Sequence, residues 1–264
     1  MAKKQRLDQV LVKRGLTESR SLAQRLIMAG QVRVDDQVQL KPSYGIPASA
    51  VIEIDHGPKY VSRGGEKLAA ALEQFPIRIA GRVAADVGAS TGGFTDCLLQ
   101  HGATRVYAVD VGHGILHWKL RQDPRVIVME RTNARYLEAL PEHVDIVTID
   151  ASFISLRLLL PVVRNWLCPS GELILLVKPQ FEAGRKAVKR GGVVRDPVVH
   201  RSVLQEILEF SSGLALSPQG LIPSPLKGPK GNREFLLWLQ PEGVRKEWNQ
   251  WLDDLFEESG EEVS

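Results

Sequence analysis

Between residues 82 and 240 the chain alternates short, nearly continuous apolar runs with longer stretches of helical periodicity. Runs of this kind are typical of strands buried on both faces of a parallel sheet, with helices as the crossovers. The pattern predicts a doubly wound α/β domain whose ligand lies at the carboxyl ends of the strands. The strand candidates are RVAADVG, RVYAVD, RVIVME, VDIVTID and ELILLVKP, with helices expected over 94–101, 155–166 and 197–212 and a closing pair of strands in LALSPQGLIPSPL and EFLLWLQ.

A glycine-rich turn, DVGASTGGFTD, follows the first apolar run and opens a helix. Such turns often bind phosphate, because backbone N–H groups and a helix N-terminus attract negative charge. This turn lacks the Lys-Ser/Thr pair of a P-loop, since Gly93 is followed by Phe94. It also lacks the G-x-G-x-x-G spacing, since the residue two after Gly88 is Ser90. Asp86 would repel a phosphate, so the turn favours a cationic or hydroxyl-bearing ligand.

Acidic residues also end the second and third apolar runs. Asp110 lies where α/β nucleotide-binding folds place an acid that binds ribose hydroxyls, and Glu130 ends the next run. Each acid taken alone has a simpler interpretation as a helix cap or a turn residue. Together with Asp86 they indicate a nucleoside ligand that carries positive charge and no phosphate. S-adenosylmethionine is such a ligand.

The first 59 residues follow a different pattern and are rich in basic side chains. Two short helices with apolar stripes precede short alternating strands around a turn at Asp35 and Asp36. The pattern SR..A..LI..G.V.V, at 19–34, resembles the S4-type RNA-binding domain, and this resemblance implies binding to structured RNA through its phosphates. A solvated charged face is the alternative interpretation. The predicted RNA contacts are Arg6, Lys13, Arg14, Arg20 and Arg25.

The residues after the fourth and fifth apolar runs limit the atom that could be methylated. Many amino-group methyltransferases carry an Asn/Asp-Pro-Pro-aromatic segment here, and this chain has DASF at 150–153 instead. Methylation of a pyrimidine carbon needs a cysteine nucleophile, and neither Cys97 nor Cys168, both placed in predicted helices, stands at a strand end. An alcohol acceptor remains, and it needs a base.

Lys178 is the candidate base because it ends the buried run LILLVKPQF, beside the strand that ends at Asp150. A lysine held neutral can accept the proton of a ribose 2′-hydroxyl. We expect Asp150 to orient this lysine and a second cation, Lys67 in VSRGGEKL, to oppose its protonation. The alternative is a lysine whose charge simply reaches solvent at the sheet edge.

Several motifs together resemble the TlyA family of ribosomal RNA 2′-O-methyltransferases, whose members are also called hemolysin A. They are SRGGEKL, DVGASTGGFTDCLL, DPRVIVMERTNAR, DASFISL, LVKPQFE and GNREFLLWL. The resemblance implies an FtsJ-like, Rossmann-like S-adenosylmethionine-dependent methyltransferase domain, a parallel sheet with a closing antiparallel strand, that acts on a ribose of cytidine in ribosomal RNA. The implied catalytic residues are Lys67, Asp150, Lys178 and Glu234, with Lys178 as proton acceptor. The implied cofactor contacts are Asp86, Gly88, Ser90, Thr91, Gly92, Gly93, Phe94, Asp110, Thr132, Asn133 and Asp150.

The resulting domain plan is an S4-like domain over 1–59, a linker and lead-in helix over 60–81, a methyltransferase domain over 82–240 and a C-terminal helix with an acidic tail over 241–264. Further RNA contacts are expected from Arg63 and from Arg185 and Lys189 in a basic loop. His113 and His117 share a helical spacing, but no third ligand accompanies them, so we expect no metal site.

Several classes of protein are disfavoured. No apolar run approaches the ~20 residues of a membrane span, and the basic N-terminus is not followed by the apolar core of a secretory signal. Two cysteines do not suit a disulfide scaffold. We expect a cytoplasmic monomer whose partner is ribosomal RNA or a ribosomal subunit. The alternatives are a non-catalytic RNA-binding or ribosome-assembly factor and, less favoured, a membrane-lytic hemolysin.

Overall fold

A computed structural model of the protein describes residues 4–55, 57–184, 188, 191–241 and 247–257. The predicted RNA contacts Arg185 and Lys189 lie outside the described residues. Contacts between Cα atoms divide the chain into two units, Met1–Lys59 and Tyr60–Ser264.

The first unit is a small α/β domain with its own core. Its elements are β1 (Gln5–Arg6), α1 (Leu7–Lys13), α2 (Arg20–Met28), β2 (Val32–Val34), β3 (Gln37–Gln39), β4 (Gly45–Ile46) and β5 (Ile52–Ile54). Strand β1 pairs with β4, and β2 lies between β3 and β5 in a second antiparallel sheet. Helix α2 begins where the Ser19 side chain accepts a hydrogen bond from Leu22 N. Leu7, Leu11 and Ile27 fill the space between helices and sheet.

The second unit is built around a seven-stranded sheet. Its strands are β6 (Val83–Val87), β7 (Arg105–Val109), β8 (Val126–Met129), β9 (Val144–Ile149), β10 (Leu167–Val177), β11 (Leu216–Pro223) and β12 (Phe235–Pro241). Its helices are α3 (Gly64–Gln74), α4 (Gly93–Gln100), α5 (Trp118–Arg121), α6 (Leu156–Val163), α7 (Pro179–Glu182), α8 (Pro197–Gly213) and α9 (Asn249–Glu257). The strand order is β11-β12-β10-β9-β6-β7-β8, and β12 runs opposite to the direction that the other six strands share.

The side chains of β10 show how helices pack against both faces of the sheet. Successive side chains of a strand point to opposite faces of the sheet. Leu173, Leu175 and Val177 therefore join the apolar cluster that includes α6, α8 and α9, while Ile174 and Leu176 join the cluster that includes α3 and α4. Both faces of the sheet are covered by helices, which is why its strands read as unbroken apolar runs.

The predicted fold class is confirmed, with three differences of detail. The closing pair of strands does not lie in chain order, because β12 inserts between β10 and β11. The short helix α5 was not predicted. Cys168 lies in β10 rather than in a helix, while Cys97 is buried in α4 as expected. Within the described residues, no helix combines the length and apolarity needed to cross a bilayer.

Candidate active site

The site forms where the strand order of the sheet reverses. The chain leaves β6 toward β7 on one side, whereas β9 pairs with the other side of β6. Ligands of open α/β sheets bind at such switch points, beyond the carboxyl ends of the strands. Here Asp150 N donates to Val87 O over 3.0 Å, so Gly88 and Asp150 lie side by side just beyond their strands.

Gly88 has no room for a side chain. Its φ is +82°, and a Cβ atom would lie 2.7 Å from Asp150 O. The next part of the turn is held by Asp110, whose Oδ2 accepts from Ser90 N at 2.8 Å and whose Oδ1 accepts from Gly112 N at 2.7 Å. At the far end of the turn, a Cβ on Gly93 would lie 2.8 Å from Gly65 N. The glycines thus allow the turn to contact both the β9 segment and the start of α3.

A cleft of about 630 Å³, the wide cleft, opens beside this turn. Its walls combine carboxylate, amide and hydroxyl groups with apolar side chains, a mixture suited to a small polar ligand. It includes the predicted cofactor contacts Gly88, Ser90, Asp110, Thr132, Asn133 and Asp150. Val87, Val109 and Ala134 supply part of its apolar lining.

A smaller cleft of about 390 Å³, the lysine cleft, lies on the other side of the turn. It shares Gly88, Ser90, Asp150 and Ser152 with the wide cleft, so the two clefts adjoin. The predicted contacts Thr91, Gly93, Phe94 and Arg63 line this second cleft. Gly92 lines neither cleft; its φ is +97°, and a Cβ there would lie 2.2 Å from Leu120 Cδ1.

The prediction that Asp86 faces the ligand is wrong. Its carboxyl group is fully buried beneath the turn and lines neither cleft. Oδ2 accepts from Thr95 Oγ1 at 2.7 Å and Oδ1 accepts from Thr148 Oγ1 at 3.1 Å. Burial raises the pKa of Asp86 to about 7, against the opposing effect of the two threonine hydrogen bonds. Asp86 therefore joins β6, α4 and β9 below the site.

Glu130 also differs from its expected position in an acidic floor. Its carboxylate accepts from Gly114 N at 2.9 Å and pairs with Arg121 and His113, which fixes the loop after β7. The Gly114 hydrogen bond lowers the pKa of Glu130. Among the described residues no group of three His, Cys, Asp or Glu side chains could hold a metal ion.

Two ion pairs, one buried and one partly buried, line the lysine cleft. Lys178 Nζ lies 2.6 Å from Asp150 Oδ1, and Lys67 Nζ lies 2.6 Å from Glu234 Oε2. These are the four side chains predicted as catalytic, and all four line the same cleft. Lys67, Lys178 and Glu234 are buried, which strengthens the charge interactions between them.

The fold explains how distant parts of the chain meet here. Parallel strands β9 and β10 place their following residues, Asp150 and Lys178, at one edge of the sheet. Strand β12 runs antiparallel and pairs Phe235 with Val177, so Glu234, just before β12, reaches the same edge. Helix α3 packs on α4 and carries Lys67.

The sequence predicted that Lys67 supplies a cation opposing protonation of Lys178. In the structure Glu234 holds the Lys67 ammonium in an ion pair, a contact that the sequence did not specify. Gln180 also contacts this carboxylate, because its Nε2 donates to Glu234 Oε1 over 3.5 Å. Gln180 was not predicted from the sequence. No role was predicted for Ser152, within DASF, although its Oγ accepts from Lys178 Nζ at 3.0 Å.

The basic side chains of the first unit that were predicted to contact RNA differ in the contacts they make within the protein. Buried Asp8 accepts hydrogen bonds from Arg6 and Arg20, and the Arg6 hydrogen bond holds the pKa of that carboxyl well below its usual range. Arg14 donates to the carbonyl oxygens of Ala48 and Ala50. Lys13 and Arg25 are exposed on α1 and α2.

Comparisons with known proteins point to one family. A model of the FtsJ-like methyltransferases matches residues 60–241, and a model of the S4 domain matches residues 5–52. The Bacillus subtilis protein YqxC, named as an rRNA methyltransferase, is 50% identical over 253 residues, covering 93% of this chain and 89% of the relative. The Mycobacterium tuberculosis 16S/23S rRNA (cytidine-2′-O)-methyltransferase TlyA is 45% identical over 258 residues, covering 96% of each chain.

A solved structure is also similar to this chain over nearly its whole length. A Streptococcus thermophilus protein named as a hemolysin has 39% sequence identity and a TM-score of 0.74, with 99% of this chain and 98% of that chain covered.

Proposed function

The chain belongs to the TlyA family of ribosomal RNA 2′-O-methyltransferases, and from that premise we propose that it methylates a ribose 2′-hydroxyl, of cytidine, in ribosomal RNA. The observation that carries the proposal is the pair of ion pairs in the lysine cleft, directly beside the glycine turn. When bound, S-adenosylmethionine supplies an electrophilic methyl group attached to a sulfonium.

The wide cleft fits this cofactor by the chemistry of its walls. Asp110 can accept hydrogen bonds from ribose hydroxyls, since each carboxylate oxygen has lone pairs beyond the one used by the backbone N–H groups. Thr132 and Asn133 are available to the adenine, and Gly88 and Ser90 line the wall nearest the lysine cleft. Asp150 belongs to both clefts and presents negative charge toward a cationic centre.

Lys178 is the proposed proton acceptor. As the ribose oxygen gains a methyl group it must lose its proton. The lone pair of Lys178 in its neutral amine form accepts that proton, in the cleft that adjoins the cofactor site. Asp150 orients Lys178 and stabilises the ammonium that forms. Lys67, held by Glu234, supplies a fixed positive charge that favours the developing negative charge on the ribose oxygen.

The first unit is the proposed docking domain for RNA. The side chains of Arg6 and Arg20 remain 42% and 51% exposed although both contact Asp8, so they can also reach phosphates. All four catalytic side chains come from one chain, so a monomer suffices. A ribosomal RNA substrate supports a cytoplasmic location for the activity.

The test incubates the purified protein and tritiated S-adenosylmethionine with small subunits, large subunits or naked ribosomal RNA. Alkaline cleavage of RNA requires a free 2′-hydroxyl, so label at a bond that resists alkali identifies ribose methylation and its nucleotide. A Lys178→Ala variant that binds RNA but transfers no label is the control. Bound donor with no labelled RNA would contradict the proposal and favour a non-catalytic RNA-binding factor. Release of dye from liposomes would instead support a membrane-lytic activity.

A further inference from the structure

The segments that follow β9 and β10 are joined by a series of contacts. Asp150 pairs with Lys178 at the strand ends. One step further, the rings of Phe153 and Phe181 lie 5.0 Å apart between centroids. At the far end, Glu182 accepts from Ser155 Oγ at 2.6 Å and from Leu156 N at 2.8 Å. The loop over 150–155 is therefore fixed to the segment that carries Lys178.

Ser152 makes a further contact between these two segments. Its Oγ accepts a hydrogen bond from Lys178 Nζ at 3.0 Å, while Asp150 Oδ1 lies 2.6 Å from the same nitrogen. Besides its bond to carbon, the amine nitrogen has three directions in which an N–H group or a lone pair can meet a partner. With two of them directed at Asp150 and Ser152, one position is left for a substrate.

Ser152 also lies where the two clefts meet. Ser152 and Asp150 line both the wide cleft and the lysine cleft, whereas Lys178 lines only the lysine cleft. Both residues that contact the Lys178 amine therefore belong to the boundary between the two clefts. A free lysine side chain has several rotamers, and holding its amine in one of them avoids an entropic cost at the moment of reaction.

We propose that Ser152 is a positioning residue for the methyl-transfer reaction: together with Asp150 it holds the Lys178 amine so that its third position is directed at the ribose hydroxyl. This inference rests on the proposed function. The neutral amine donates its two N–H groups to Asp150 and Ser152, and its lone pair takes the proton of the ribose hydroxyl. Both acceptors then stabilise the ammonium that forms.

The substitution Ser152→Ala is a clean test because it should leave the fold intact. The Ser152 side chain is exposed, so its removal opens no cavity. The loop backbone remains fixed by Glu182 through Ser155 and Leu156. Ser152→Thr keeps the hydroxyl, and Ser170→Ala removes an exposed hydroxyl from the opposite part of β10 as a matched control.

Kinetics of methyl transfer to ribosomal RNA provide the first readout. Ser152→Ala should lower kcat about tenfold, the order expected for a hydrogen bond to a charged group. The KM for RNA should be unchanged. The Kd for S-adenosylhomocysteine should change by much less than kcat, although Ser152 also lines the wide cleft, and Ser152→Thr should restore most of kcat. An unchanged kcat in Ser152→Ala, or a threonine variant as slow as the alanine variant, would overturn the proposal.

The second readout does not depend on the RNA reaction. Competitive labelling of lysine amines with acetic anhydride, followed by mass spectrometry, measures how readily Lys178 reacts in the full-length protein. Ser152→Ala should raise the labelling rate of Lys178 severalfold, with no change at Lys119, while Ser152→Thr and Ser170→Ala match the wild type. Unchanged labelling of Lys178 overturns the positioning role. A labelling change in a protein that methylates no RNA would instead count against the proposed function alone.

Discussion

Lys178 Nζ lies 2.6 Å from Asp150 Oδ1, and the side chains of Lys178 and Asp150 are only 9% and 22% exposed. A pair so withdrawn from water is held in one geometry, since each charge would be poorly solvated without the other. The pair fixes the position of the amine, and the contact with Ser152 is proposed to set its direction.

Replacing Lys178 by methionine keeps the apolar stem and removes the proton acceptor. We expect the single-turnover rate of methyl transfer to fall about a hundred- to ten-thousandfold, the usual contribution of a general base. Binding of S-adenosylhomocysteine, measured by calorimetry, should persist because Lys178 does not line the wide cleft. Lys119→Met, at an exposed lysine, is the control. A Lys178→Met enzyme of normal rate would exclude this lysine as the base.

Gly228 provides a way to move Glu234 without removing any charge. A Cβ atom on Gly228 would lie 2.0 Å from Glu234 Oε1, although the backbone of Gly228, with φ −68°, suits any residue. Gly228→Ala should displace the carboxylate from Lys67, lower methyl transfer at least about tenfold and cost about 1–3 kcal/mol of unfolding free energy. Gly213→Ala, where nothing lies within 4 Å of the added atom, should behave as wild type. Equal activities of the two variants would mean that the position of Glu234 is unimportant.

Gly88→Ala should disrupt cofactor binding. The substitution adds strain at φ +82° and places Cβ 2.7 Å from Asp150 O, so the turn and the β9 segment must separate. Calorimetry should show binding of S-adenosylhomocysteine weakened by more than about tenfold. Gly114→Ala is a matched control for strain, because φ is +73° and no atom lies within 4 Å of the added Cβ. Similar affinities in the two variants would show that close packing at Gly88 is not required.

Asp86 should make stability fall with rising pH. Burial raises its pKa from the usual 3.8 to about 7, so the folded state binds this proton more tightly than the unfolded state. The free energy of unfolding should decline between about pH 4 and pH 7, by up to about 4 kcal/mol, and the Asp86 contribution should be constant above that range. Asp86→Asn should remove this decline in urea titrations at several pH values, whereas Asp254→Asn, at an exposed site, should retain it. A decline that persists in Asp86→Asn would assign it to other groups.

The sequence predicted the site best where the charged residues directly follow the strands. Asp150 and Lys178 end adjacent buried strands, and the parallel arrangement alone brings them together. Asp86 was misplaced because an acid near the end of an apolar run can face either the ligand or the packed interior. That choice depends on the threonine partners from α4 and β9, which only the folded chain reveals.

The positions of other site residues cannot be predicted from the neighbouring sequence. Glu234 was reached only through the family resemblance, because its position depends on β12 inserting between β10 and β11. The pairing of Lys67 with Glu234 joins residues 167 positions apart, and no periodicity encodes such a contact. Ser152 lies two residues after Asp150, and only the measured contact with Lys178 distinguishes it from any other loop serine.

The distance along the chain between Lys67 and Glu234 also has a consequence during synthesis. The first unit closes its sheets and core within residues 5–54, so the proposed RNA-docking domain is made early. The proposed catalytic group of four is incomplete until translation has passed Glu234. We therefore expect a growing or prematurely terminated chain to carry the docking domain before any methyl transfer is possible, and we expect such fragments to compete with the finished enzyme for its substrate.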